Sequence, residues 1–107
     1  MDDISVLLNF AAAAASTAAS ACKDWEDGGD PGPVADTAWE ADEAISVAVG
    51  AATAIDPALP PLNDPETRLG RLVVAAQLLI LAGTDEGGQS DELEVATMVL
   101  KLAAAEA

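Results

Sequence analysis

The chain has 107 residues, with 19 carboxylates against four Lys and Arg, no His, one Cys and a formal net charge of −15. The length suits one domain with a single modest core. The missing imidazole excludes His-dependent nucleophiles, Ser-His-Asp triads and nearly all transition-metal sites. One Cys excludes an internal disulfide framework and a Cys-based zinc site and points to a reducing compartment, and so few cations exclude direct nucleic-acid binding, which needs clustered Lys and Arg.

Alanine, the strongest helix former, occurs 25 times, and aromatic residues make up only 3% of the chain. Gly, Pro and Asp gather at 28–33, 56–61 and 85–88. These three breaks leave four apolar-periodic segments, so the expectation is an all-α, four-helix up-down bundle forming one domain over 1–107, with helices over 3–26, 33–55, 65–82 and 90–105.

The first helix carries Ile4, Leu8, Ala11, Ala15, Ala18, Cys22 and Trp25 at spacings of three and four, which makes one buried stripe. Asp2 and Asp3 suit its positive N-terminal end, and Gly28 is its expected stop. From Ile4 to Cys22 it has no charge and the length of a membrane span, and Ala19-Ser20-Ala21-Cys22 has the form of a lipobox. The acidic residues ahead of this stretch oppose a secretory signal, which needs Lys or Arg there. The expectation is a cytoplasmic chain with no membrane contact.

The second helix starts at Pro33 and turns Val34, Ala38, Ala41, Ile45, Ala48, Val49, Ala52 and Ile55 inward. Trp39 falls about 120° off that stripe. The proline-rich loop 56–65 is stiff and long enough to cap one end of the bundle with Leu59 and Leu62. The third helix reads as capped by Asp64 with Pro65 in its first position, and it stops at Gly83. The fourth reads as capped by Ser90, with Asp91, Glu92 and Glu94 in its first turn.

Two features bear on function. The third helix has a core stripe of Leu69, Leu72, Val73, Ala76, Leu79 and Ile80, and it also has Val74, Leu78 and Leu81 on another side. The fourth has Leu93, Ala96 and Leu100 in one stripe and Val95, Met98, Val99 and Leu102 in a second. A helix that is apolar all round is normally buried all round. Val74, Leu78, Leu81, Val95, Met98, Val99 and Leu102 are therefore the expected interface with a second copy, as a homodimer, or with another helical protein. Cover by the 56–65 loop is the alternative.

The charge is also uneven. An up-down bundle gathers Asp24, Glu26, Asp27, Asp30, Asp36, Glu40, Asp42, Glu43, Asp85, Glu86, Asp91, Glu92 and Glu94 at one pole against Lys23 alone, leaving there twelve of the fifteen net negative charges. Such a pole attracts a basic protein. Solvated first turns and loops, or adaptation to high cytoplasmic salt, would give the same pattern.

No catalytic, cofactor or metal site is expected. Glu40-x-x-Glu43 and Asp91-x-x-Glu94 resemble the magnesium-holding clusters of all-α nucleotide pyrophosphatases over about eight residues, without a third-helix motif and with Glu40 and Glu43 facing outward. Cys22 reads as a small core hydrophobe with no base to activate it. Arg68 and Arg71 read as partners for C-terminal carbonyls or for a neighbour's acids. The leading expectation is a small acidic, non-enzymatic interaction module. The alternatives are an acidic DNA mimic that occupies a basic nucleic-acid-binding protein, and a divergent magnesium-dependent nucleotide pyrophosphohydrolase.

Overall fold

A computed structural model describes residues 2–84 and 89–107. It contains four helices: α1 Asp2–Glu26, α2 Gly32–Ile55, α3 Arg68–Gly83 and α4 Ser90–Glu106. They form an all-α four-helix bundle, an elongated body of 48 × 21 × 19 Å. Each bound lies close to the sequence expectation except the start of α3.

Long-range bonds fix the up-down order. Ser5 Oγ donates to the Ala104 carbonyl (3.0 Å), joining the start of α1 to the end of α4. At the opposite pole Lys23 pairs with Glu94 (2.7 Å), and Cys22 Sγ donates to the Gly83 carbonyl (3.8 Å). The helices do not close evenly. α1 packs along both α2 and α4, and α3 packs along α4, but α2 and α3 barely meet.

The core is built mostly from small side chains: among the described residues, 14 of the 24 buried apolar positions are alanines. Alanines let helix backbones approach closely but each hides little apolar area, so the fully buried Leu8, Ile45, Leu93, Leu100, Val34 and Val73 carry much of the apolar payload. The expected stripes of α1 and α4 are buried throughout, apart from half-buried Trp25. On α3 only Val73, Ala76 and Ile80 of the expected core are fully enclosed, while Leu69, Leu72 and Leu79 are half-buried. Ile55, at the end of α2, is exposed rather than inward. By length and composition α1 could cross a membrane; in this fold its apolar stripe is the bundle's own core.

Two helix starts differ from expectation. α3 begins at Arg68, not at 65, and its cap is Thr67, whose Oγ1 accepts from Gly70 N (2.9 Å). Asp64 instead closes a local turn, its carboxylate accepting from Glu66 N (2.9 Å). An Asx turn and an N-cap compete for the same oxygen, and Thr67 then fills the vacated role. At α4 the position before the helix is Gln89, which makes no side-chain cap bond. Ser90 lies inside the helix, and the cap comes from another element: Glu26 of α1 accepts from Ser90 N (3.1 Å) and from Ser90 Oγ (3.2 Å). That places a carboxylate at a positive helix end.

Gly28 ends α1 as expected, in the left-handed region at φ +100°, with its N–H on the Trp25 carbonyl (3.0 Å). In the 56–65 loop, Leu62 is buried against the core and Leu59 is 61% exposed, so only one of the two leucines caps the bundle. With Ile4, Ala52, Leu69 and Ala107 they line an apolar pocket of about 300 Å³ at that pole.

Candidate partner-binding surfaces

Leu78, Leu81, Val95, Met98 and Leu102 are between 44% and 69% exposed, so neither the 56–65 loop nor the rest of the chain covers them. Val74 and Val99 are half-buried, and Val99 packs against the core. Leu81 faces α2, Val74 lies on nearly the same line of α3 seven residues earlier, and Leu78 projects about 60° from Leu81. Arg68 marks the α4 side, through its ion pair with Glu106 (2.6 Å). At 100° per residue, Arg68 and Leu81 project about 140° apart, with Leu78 between them. Val95, Met98 and Leu102 form a separate stripe on the outer side of α4. The exposed members of the expected interface therefore lie on the outer sides of both helices.

Leu81 borders a groove. Ala35, Ala38, Trp39 and Asp42 of α2 face Ile80, Leu81 and Thr84 of α3 around a cavity of about 340 Å³. α2 presents Ala35, Trp39, Asp42, Ser46, Gly50 and Thr53 in succession at spacings of three and four, and all are exposed. Only Trp39 in that row is large and apolar, so α2 offers α3 little to bury against. This explains why the two helices stand apart. Trp39 itself is 64% exposed at the groove's edge. Ala38 belongs to the expected inward stripe, whereas Ala35 carries no mark in the sequence that separates it from the other alanines. Val6 and Phe10, exposed on α1, were also passed over; their four-residue spacing off the core stripe was the available signal.

The residues expected at the acidic pole are mostly exposed. Asp24, Glu26, Asp27, Asp30, Asp36, Glu40, Asp42, Glu43, Asp91 and Glu94 are exposed, and Glu92 is half-buried with its Oε2 enclosed and without a hydrogen-bond partner among the described residues. Asp85 and Glu86 lie outside the described residues. Lys23 is spent on Glu94, whose hydrogen bond raises the lysine's pKa. Of the remaining cations, Arg68 is held by Glu106, and Arg71 donates to the Pro65 (3.2 Å) and Glu66 (3.4 Å) carbonyls at the far pole. Both arginines are therefore used within the chain's own fold.

No metal site is assembled among the described residues: nowhere do three Asp, Glu or Cys side chains converge, and Glu40 and Glu43 face outward. Cys22 is fully buried, and burial pushes its thiol pKa up, with the Glu26 carboxylate adding to the shift. A thiol kept neutral and enclosed is a poor nucleophile. Iodoacetamide at pH 8 is expected to alkylate Cys22 in the folded chain about 100-fold or more slowly than in denaturant, because reaction must await opening of the bundle. Mass spectrometry over time checks this, and fast labelling of the native chain would show that Cys22 is accessible. No known protein family, curated relative or solved structure matches the chain.

Proposed function

We propose that this chain is a small, non-enzymatic assembly module that pairs with a second copy through the outer side of α4. The carrying observation is the stripe Val95, Met98 and Leu102, in which each residue is about half exposed or more and spaced to lie along one line of the helix. A two-fold pairing needs only such a self-complementary stripe. Three large apolar residues over about two turns make a small contact, at the low end of specific interfaces, so association is weak and concentration-dependent.

Each copy brings a charge of −15, and this repulsion opposes pairing until salt screens it. Sedimentation equilibrium at micromolar to near-millimolar concentration is expected to show a monomer–dimer equilibrium that strengthens between 50 mM and 500 mM NaCl. Met98→Glu is expected to hold the chain monomeric while leaving its melting temperature nearly unchanged, because Met98 is exposed. A chain that is monomeric at every concentration and salt level, or a dimer untouched by Met98→Glu, would remove this reading.

A further inference from the structure

We infer that the groove between α2 and α3 is a docking site for a basic amphipathic helix of another protein, which lies there as a fifth helix of the bundle. This rests on the reading of the chain as an interaction module, but on a different surface from the α4 stripe.

The groove's shape indicates a helix. Its α3 wall is formed by Ile80, Leu81 and Thr84, with Val74 two turns back on the line of Leu81, and its α2 wall by Ala35, Ala38, Trp39 and Asp42, whose row continues at helical spacing through Ser46, Gly50 and Thr53. Two helical ridges held apart leave the kind of channel into which an amphipathic helix lays its apolar face. The cavity at the acidic end, about 340 Å³, is of the size that binding pockets have, about 300–1,000 Å³. Beside it stands an exposed Trp39, the residue type most enriched among interface anchors.

The groove's charge selects the occupant. Asp42 lines the cavity itself, and α2 carries three further carboxylates outside the lining, Asp36, Glu40 and Glu43, and no Lys or Arg. An incoming helix with Lys or Arg flanking its apolar face meets an attractive field, whereas an acidic or neutral one does not. A second copy cannot supply that helix. The chain has only four Lys and Arg, of which Lys23 and Arg68 are in ion pairs and Arg71 is bonded to its own loop. Lys101 is a single cation on α4 and provides no flanking set.

The test uses the full chain and a fluorescein-labelled 18-residue peptide of Leu and Lys, with Leu at helical positions i, i+3, i+4 and i+7. Two controls accompany it: a scrambled peptide of the same composition, and a version with Glu in place of Lys. Fluorescence anisotropy is expected to show binding of the amphipathic Lys peptide that weakens as NaCl rises, the opposite trend to self-association. Trp39→Ala and Leu81→Ala, both at exposed positions, are expected to weaken it about tenfold, the loss of one interface anchor. Met98→Glu is expected to leave it unchanged, so failure of the α4 pairing and failure of the groove read out separately. Equal binding of the scrambled peptide would mean charge attraction without a groove. Binding of the Glu peptide, or insensitivity to both Trp39→Ala and Leu81→Ala, would also overturn the assignment, as would loss of self-association in Trp39→Ala.

Discussion

Gly70→Ala is expected to lower the stability of the chain by about 3 kcal/mol or more, at the upper end of overpacking costs, and hence its melting temperature by about 10 °C or more. A Cβ at this position would stand 1.7 Å from the Asp64 carbonyl oxygen and 2.4 Å from its carbon. Those are backbone atoms, so no side-chain rotation relieves the clash. The carbonyl is held by the Thr67 N–H (3.1 Å) and the Thr67 hydroxyl (2.9 Å), while the same hydroxyl accepts from Gly70 N. Moving Asp64 away therefore breaks the cap of α3 as well. Gly50→Ala is the matched control. Nothing lies within 4 Å of a Cβ there, and the position is exposed inside α2, so removing a helical glycine is expected to stabilise by about 0.5–1 kcal/mol. Thermal melts by circular dichroism read both variants. Equal effects of the two substitutions would show that the close approach at Gly70 is not constraining the fold.

These glycines also show what the sequence could and could not convey. Helix existence was legible because it depends on alanine content and on spacing within one segment, as in the stripe from Ile4 to Cys22. The identity of the caps was not, because it depends on what else is within reach. Asp64 has the right residue type for a cap, yet its oxygen is taken by the Glu66 N–H. Ser90 looks like a cap from its neighbours, but its N–H is met by Glu26, 64 positions earlier.

The apolar surplus of α3 and α4 was legible by composition, and the exposure of Leu78, Leu81, Val95, Met98 and Leu102 matches it. That Leu81 borders a groove with α2 was not, since that depends on which neighbour each helix chooses. The row on α2 facing α3 holds Trp39 among Asp42, Ser46, Gly50 and Thr53, and only the helix order shows that this weak row faces Leu81. Which helix ends meet was readable because alternating helix direction alone decides it, as the Lys23–Glu94 pair between the end of α1 and the start of α4 shows. The net charge of −15 is the reason the two proposed contacts are expected to respond to salt in opposite directions: repulsion would hinder contact between like copies, and attraction would favour a basic guest.

The second large effect concerns the contact between the end of α3 and the start of α4. Gly83→Ala would place a Cβ 2.5 Å from Leu93 Cγ and 2.9 Å from its Cδ2, and Leu93 is fully buried. The leucine cannot swing into solvent, so the expected cost is about 2 kcal/mol, within the range for overpacking a core. Leu93→Ala has the opposite fault. It removes one of the few large side chains in an alanine-rich core and is expected to cost about 2–5 kcal/mol through lost burial and the cavity left behind. The combination is where this geometry makes a distinctive statement. Once Leu93 is trimmed to its Cβ, the atoms that met the new methyl group are gone, and the methyl group occupies part of the vacated space. The double variant is therefore expected to be more stable than the sum of the single losses by about 1–2 kcal/mol, a coupling of the size seen for residues in direct contact. Urea titration of the four chains completes the cycle. Strict additivity would mean that Gly83 is constrained by something other than Leu93, for which the Gln89 carbonyl, 3.1 Å from the same Cβ, is the next neighbour.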